Sequence, residues 1–342
     1  MTGDPSTPHR RRPRYPGRNP RRFDQKYKEH APERYPETVA KVIASGKTPA
    51  GSHLPIMIVE TMAALGPKPG DIAVDCTIGY GGHAHELLKR ITPGGRLLGL
   101  DVDPLELPKT ESRLRGLGFG PDVFVVRRSN FAGLTQALAA EGLAGADCVL
   151  ADLGVSSMQI DTPDRGFSVK VPGPLDMRMN PNRGQPASAL LHKMRELDLE
   201  ALLVENADEP HAARLAEALA GRSIEQTVAL AEAVREVLAH IRDEEREKSV
   251  RRVFQALRIA VNDEFGALDG LLRQLPQCLN PGGRVAIVTF HSGEDRRVKN
   301  AFRVGLRDGL YAAVADTIIT PDADECRSNP RASAAKLRWA RR

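Results

Sequence analysis

The chain has 342 residues, 41% hydrophobic and 27% charged, which is enough for one large domain or two ordinary ones with an average globular composition. This composition excludes a fibrous or wholly disordered chain, and no run approaches the roughly 18 apolar residues that a membrane helix needs. The first residues lack the apolar core of a secretion signal and the four cysteines are far apart in sequence, so we expect a cytoplasmic protein with reduced thiols.

The net charge of +5 is concentrated near the start of the chain. Residues 1–36 contain ten lysines and arginines, four acidic residues and seven prolines, which predicts a disordered basic arm. Such an arm is suited either to the phosphates of a nucleic acid or to a solubilising role without a specific partner. Residues 327–342 are also rich in basic side chains and contain no acid, which favours a polyanionic partner.

After residue 37, short apolar runs alternate with segments that have helical spacing. Strands that alternate with helices form a parallel sheet covered on both faces, so we predict an α/β fold with a doubly wound, Rossmann-like sheet. Ligands bind such sheets at the carboxyl ends of the strands. The predicted strands are residues 72–76, 96–101, 122–126 and 146–153.

From about residue 158 the alternation stops, and a stretch rich in glycine and proline is followed by helical segments. Residues 281–292 then predict a tight turn and a buried strand of the same sheet, so the helical block interrupts one α/β domain. One long amphipathic helix is predicted from apolar residues at helical spacing, namely Phe254, Leu257, Val261, Phe265, Leu268, Leu272 and Leu275.

This pattern divides the chain into three parts. Residues 1–36 form the basic disordered arm, residues 37–157 together with 250–342 form a cofactor-binding α/β domain, and residues 158–249 form an inserted helical subdomain.

A glycine cluster follows the first predicted strand and opens a helix, with the sequence Gly79-Tyr80-Gly81-Gly82-His83. Glycines at such a turn let the backbone approach a nucleotide-like ligand, and the helix N-terminus offers free N–H groups. The same spacing satisfies the dinucleotide-binding fingerprint, and Asp101 closes the second strand where either cofactor has ribose hydroxyls. The cluster alone therefore fits both a nicotinamide-dependent enzyme and a methyltransferase.

Two aspartates at strand ends favour the methyltransferase. Asp75 ends the first strand, and Asp152 ends the fourth strand shortly before Ser156 and Ser157. A carboxylate would repel a pyrophosphate, whereas the ammonium and sulfonium of S-adenosyl-L-methionine are cations. The alternative for each aspartate is a helix cap or a turn.

The chain from His53 to about Arg338 resembles the bacterial family that methylates N4 of a cytosine, position 1402, in 16S ribosomal RNA. The resemblance covers nearly everything except the basic arm. Its motifs are Gly79–His83, Asp152–Ser157 with Gln159, Arg165–Ser168, Gly173–Met179, Phe254–Ile259 with Asn262 and Glu264, Phe290–Ser292 with Glu294–Arg296, and Asn329–Arg331.

The resemblance implies a class I methyltransferase fold with an inserted helical subdomain, S-adenosyl-L-methionine as cofactor, and 16S ribosomal RNA, within the small ribosomal subunit, as substrate. No residue pattern points to a metal site or a membrane partner. Residue 131 can stack on adenine, although a phenylalanine there would also fit a core. The family's cofactor contacts fall on Gly81, Gly82, His83, Asp101, Phe131, Asp152 and Gln159, to which the strand-end pattern adds Asp75 and Gly79.

Catalysis of this reaction depends on alignment, because the cytosine amino group is a poor nucleophile that loses its proton during or after transfer. Acceptors for its N–H bonds would raise electron density on nitrogen. We predict Asp152, with Ser156 or Ser157, as these acceptors. His291 is predicted near the site, with a structural histidine as the alternative.

Two departures from the family's pattern leave alternatives open. Typical members lack the basic arm, and residues 209–214 stand where a more basic helix start is usual. The alternatives are a paralogue that methylates another RNA, a nicotinamide-dependent oxidoreductase, and a noncatalytic RNA-binding factor. Retention of Asp75, Asp101 and Asp152 argues against the last. The sequence does not indicate an oligomeric state.

Overall fold

The structure, a computed structural model, describes residues 55–342, so the predicted basic arm and His53 lie outside the described residues. Seven strands form one sheet: β1 (Ile72–Asp75), β2 (Arg96–Asp101), β3 (Phe124–Arg128), β4 (Ala146–Asp152), β5 (Leu279–Thr289), β6 (Ala313–Val314) and β7 (Lys336–Arg341). The helices are α1 (Ile58–Leu65), α2 (Gly82–Ile91), α3 (Leu107–Gly116), α4 (Leu134–Ala140), α5 (Ser157–Asp161), α6 (Ala187–Lys193), α7 (Glu196–Ala207), α8 (Ala212–Leu219), α9 (Thr227–Val237), α10 (Asp243–Asn262), α11 (Glu264–Cys278), α12 (Ser292–Arg307) and α13 (Ala323–Ser328).

The sheet has the strand order β3-β2-β1-β4-β5-β7-β6. Strands β1 to β5 are parallel, and β7 runs antiparallel to both β5 and β6. The chain builds outward from β1 to β3 and then returns to place β4 beside β1, so the winding reverses between these two strands. The predicted doubly wound α/β sheet is confirmed, and the antiparallel strands β6 and β7 were not predicted.

The two faces of the sheet carry separate apolar cores, because successive side chains of a strand point to opposite faces. Along β4, Cys148 and Leu150 pack with α1, α2 and α3, whereas Val149 and Ala151 pack with α4, α11 and α12. All four side chains are buried, and burying a leucine contributes about 2 kcal/mol. Packing on both faces of the sheet fixes the position of β1 and β4 at its centre.

The residues between β4 and β5 form a third core from helices α6 to α10. Leu203, Leu215, Leu230 and Leu257 are fully buried there. The predicted subdomain boundary at residue 250 falls inside α10, which packs into this third core. The division into subdomains stays a prediction. None of the helices in residues 55–342 is both long and apolar enough to cross a membrane.

The single long helix predicted across residues 254–275 is wrong. Two helices, α10 and α11, meet at Asp263, whose φ of 49° lies in the left-handed region. A left-handed residue ends a helix, and aspartate tolerates that conformation because its side chain is short and polar. Both helices bury one apolar face, so the apolar spacing continues across the break. The spacing therefore does not show where α10 ends and α11 begins.

Candidate active site

A cavity of about 420 Å³ lies beyond the carboxyl ends of β1 and β4, where the winding of the sheet reverses. Open α/β sheets bind ligands at this position, and the volume is typical of a small-molecule site. Predicted site residues on its wall are Gly79, Gly81, Gly82, His83, Asp101, Phe131, Asp152, Ser156, Ser157 and Gln159. Asp75 and His291 are not among the residues described on this wall.

The glycine cluster forms the turn between β1 and α2. Gly79 and Gly81 have φ values of 46° and 85°. A Cβ on Gly81 would lie 2.9 Å from the side chain of Thr110, and one on Gly82 would lie 3.0 Å from Pro55. Glycine is therefore required here by both conformation and space, and the main chain itself lines the cavity.

Asp101 holds the loops after β1 and β2 together. Its Oδ2 accepts a hydrogen bond from the Gly79 N–H at 2.9 Å, and its Oδ1 accepts one from the Asp103 N–H at 2.9 Å. Burial raises the pKa of Asp101, and these two hydrogen bonds offset part of that rise. Phe131 lines the same cavity and also packs against the core, and its stacking on adenine stays a prediction.

Asp152 presents a carboxylate oxygen without a hydrogen-bond partner in residues 55–342. This atom, Oδ1, is buried, and Oδ2 lies 3.6 Å from Nδ1 of His83. Burial lowers the pKa of His83 to about 4, so the imidazole is neutral at physiological pH. The pKa of Asp152 is raised well above its ordinary value, first by burial and then by the charges of Asp75 and Glu294.

Asp75 lies behind the wall rather than on it. Its side chain is buried, and Oδ1 accepts a hydrogen bond from the Thr77 N–H at 3.1 Å. Burial raises the pKa of Asp75 to about 7, and the charge of Asp101 adds to this effect. Any influence of Asp75 on a ligand is therefore electrostatic, acting through the turn that separates it from the cavity.

Ser156 and Gln159 form a capping box at the start of α5. The Ser156 Oγ accepts a hydrogen bond from the Gln159 N–H at 3.3 Å, and the Gln159 Oε1 accepts one from the Ser156 N–H at 3.0 Å. The Gln159 amide also donates to Oδ2 of Asp103 at 2.9 Å. This arrangement fixes the chain just after Asp152 and places Ser157 on the cavity wall.

His291 is separated from the cavity by its neighbours. Its Nε2 lies 3.2 Å from Oε1 of Glu294, and its ring lies 5.7 Å from that of Phe265. Phe290 and Glu294 line the wall instead. Burial acts to raise the pKa of Glu294, but His291 and Arg258 hold it below its ordinary value. The structure therefore places His291 behind Glu294, and its catalytic role stays a prediction.

Sequence reasoning missed a buried ion pair between Asp103 and Arg165, which supports the cavity wall. It also missed several wall residues beyond the glycine turn. They come from the segment after α5, from α10, α11 and α12, and from the last segment of the chain, and include Met179, Arg258, Asn262, Glu264, Glu294 and Arg331. The motifs that contain these residues are visible in the sequence. A single sequence does not show which distant segments lie close together in the fold.

The wall suits an adenosyl ligand that carries positive charge. A glycine turn exposes main chain, Asp101 stands at the end of β2, and Asp152 offers a buried oxygen without a partner. A cation near this oxygen would relieve the mutual repulsion of the buried carboxylates. These features fit S-adenosyl-L-methionine, and the predicted cofactor is confirmed.

Comparisons with known protein sequences agree with this assignment. The model of the MraW methylase family matches residues 50–342. The chain is 46% identical to ribosomal RNA small subunit methyltransferase H 1 of Lachnoclostridium phytofermentans, covering 99% of this chain and 96% of that protein. An rRNA methylase from Streptococcus thermophilus superposes with a TM-score of 0.38 and 12% identity, covering 83% of this chain and 92% of that one. Ribosomal RNA small subunit methyltransferase H 2 of Alkaliphilus metalliredigens is 48% identical, covering 96% of this chain and 97% of that protein.

Proposed function

The chain belongs to the MraW methylase family, and from this premise we propose that it transfers a methyl group from S-adenosyl-L-methionine to N4 of a cytosine in 16S ribosomal RNA. The observation that carries the proposal is the carboxylate of Asp152, whose side chain is 26% exposed on the wall of a cavity that suits the cofactor. The assignment of ribosomal RNA as the substrate rests on the relatives in the family. The position of the target base rests on the resemblance to the family of cytosine-N4 methyltransferases.

S-adenosyl-L-methionine supplies an electrophilic methyl group on a sulfonium. The glycine turn and Asp101 would hold the adenosyl part, while the carboxylate of Asp152, which lines the cavity, accepts an N–H of the target amino group. Holding that N–H bond aligns the nitrogen lone pair and raises its electron density, which lowers the barrier without a strong base. Ser157 lies on the same wall and would contact the base.

A nicotinamide cofactor fits this wall poorly. Besides Asp103 and Glu264, which are paired with arginines, the cavity is lined by Asp101, Glu106, Asp152 and Glu294, and these four carboxylates would oppose the two negative charges of a pyrophosphate. Titration calorimetry with S-adenosylhomocysteine and with NAD separates the two cofactors. We expect binding of the first alone.

Methyl transfer is tested with purified protein and S-adenosyl-L-methionine that carries a tritiated methyl group. The substrates are small ribosomal subunits, free 16S ribosomal RNA and 23S ribosomal RNA. We expect label in the small-subunit RNA, and mass spectrometry should place it on N4 of a single cytosine. Label confined to 23S ribosomal RNA, or a methyl group on another atom, would contradict the proposal. The comparison of subunits with free RNA also identifies the assembly state of the substrate.

A further inference from the structure

The cavity wall is strongly acidic for a site that must receive RNA. Six carboxylates line it, as stated above, against two arginines from residues 55–342, Arg258 and Arg331. RNA is a polyanion, so a nucleotide that approaches the cavity is repelled except where a cation stands. The position and freedom of these two arginines therefore decide where the RNA backbone can lie.

Arg258 is already paired with a carboxylate of the same wall. Its Nε and Nη2 lie 2.8 and 2.9 Å from the two carboxylate oxygens of Glu264, which is a bidentate ion pair. The pair is neutral as a unit and largely buried. Arg258 thus completes the inner wall and offers little attraction to a phosphate outside it.

Arg331 differs because it stands at the edge of the cavity with 44% of its side chain exposed. It belongs to a short 3-10 helix, Pro330–Ala334, just before β7. Its Nη2 lies 2.7 Å from Oδ1 of Asp161, at the end of the helix that follows Asp152, and its Nη1 lies 3.5 Å from Oδ2 of the same carboxylate. A partly exposed ion pair of this kind contributes about 0 to 1 kcal/mol, so exchanging Asp161 for another anion costs little.

We propose that Arg331 binds a phosphate of the RNA strand next to the target nucleotide. Asp161 pairs with the guanidinium before RNA arrives, and a phosphate then takes its place, with two of its oxygens matching the planar fork of N–H donors. The target base enters the acidic cavity while its backbone stays at the edge beside Arg331. This inference rests on the proposed RNA substrate and adds a residue that positions it.

The test compares Arg331→Gln with Arg327→Gln. Arg327 is a matched control because it lies one helical turn earlier, is 73% exposed, pairs with Asp324 and is not on the cavity wall. We expect Arg331→Gln to raise the KM for small ribosomal subunits about tenfold, because one charged phosphate contact is lost, and to leave the affinity for S-adenosylhomocysteine unchanged. The plot of log affinity for single-stranded RNA against log salt should become less steep, with its slope smaller in magnitude by about 0.7. Arg327→Gln should match the wild type in all three.

Two further variants separate phosphate binding from a structural role. Arg331→Lys keeps the charge and should recover part of the lost RNA affinity. Asp161→Asn removes the ion pair and should leave RNA affinity at or above the wild-type value. The inference is overturned if Arg331→Gln leaves KM and the salt slope unchanged, or if Asp161→Asn weakens RNA binding equally. Failure of the proposed function appears instead as a wild-type protein that transfers no methyl group to RNA.

Discussion

Arg165 and Asp103 form an ion pair beneath the cavity, with Nη1 of the arginine 2.8 Å from Oδ2 of the aspartate and side chains only 8% and 1% exposed. The same guanidinium donates to the carbonyls of Arg178 and Met179 at 3.1 and 2.8 Å. Met179 lines the cavity. The pair therefore joins the loop after β2, on the cofactor side, to the segment that leads into the helical block.

We predict that Arg165→Met lowers the free energy of unfolding by about 3 to 5 kcal/mol, because it leaves Asp103 charged and buried. The measurement is urea denaturation. Arg195→Met is the control, since the pair of Arg195 with Asp198 is 83% and 47% exposed and its loss should leave the free energy of unfolding close to that of the wild type. Equal, small losses in the two variants would show that the buried pair contributes no more than a surface pair.

Local sequence patterns account for the strands that were predicted and for those that were missed. Residues 96–101 match β2 because a glycine pair bounds the apolar run at one end and Asp101 bounds it at the other. β7 was missed because its residues alternate apolar with basic side chains. Arg338 of β7 is nevertheless buried, since Asp295 lies 2.7 Å away from it. A pairing between such distant residues leaves no local signal.

Asp152→Asn should lower turnover far more than it lowers affinity for S-adenosylhomocysteine. The amide nitrogen of asparagine cannot accept the target N–H, whereas this product lacks the sulfonium charge that the carboxylate would attract. Single-turnover methylation and titration calorimetry give the two quantities. Asp164→Asn, at an exposed aspartate, controls for loss of charge alone. Equal losses of turnover and product affinity would make Asp152 a cofactor-binding residue without a catalytic role.

Asp75 should give the ligand-free protein a specific pH dependence. Its pKa is raised to about 7 in the folded state, chiefly by burial, so the folded state binds more protons than the unfolded state between about pH 4 and about pH 7. The free energy of unfolding contributed by this group therefore falls as pH rises through that window.

The measurement is the difference in unfolding free energy between the wild type and Asp75→Asn at several pH values. Subtraction removes the titration of other groups, provided that they respond alike in both proteins. We expect the wild type to lose stability relative to the variant as pH rises towards about 7 and the difference to level off above it. A difference that is constant, or that grows with pH, would show that Asp75 is not held with a raised pKa.

The candidate site divides into a part that sequence predicts and a part that it does not. Asp101 and Asp152 stand at the ends of predicted parallel strands, and such strands bring their carboxyl ends to one edge. Arg165, which supports the wall, and Arg331, which lines it, come from segments without strand pairing and are held by partners 62 and 170 residues away. Periodicity specifies the layers of the fold, but these long-range contacts depend on how the irregular segments pack.

Gly81→Ala should abolish measurable cofactor binding. The new methyl group would meet Thr110 at 2.9 Å in a residue with a φ of 85°, so both the turn and the start of α2 must shift. Gly118→Ala is the matched control, because Gly118 has a φ of 96° with open space around it and lies away from the cavity. Both variants should lose about 1 kcal/mol of stability from backbone strain, but Gly118→Ala should bind S-adenosylhomocysteine normally. Normal binding by Gly81→Ala would mean that the turn is not shaped for the ligand.

Deletion of residues 1–36 should weaken RNA binding without changing cofactor affinity. Ten lysines and arginines stand against four acids in this segment, and its residues lie outside both the described structure and the family match, which begins at residue 50. If the arm neutralises roughly three to six phosphates, the plot of log affinity against log salt should become less steep by about 0.7 for each lost contact on single strands. RNA titrations of the full chain and the truncated chain at several salt concentrations measure this slope. Superimposable slopes would assign the arm a solubilising role, and the excess positive charge would then carry no information about the substrate.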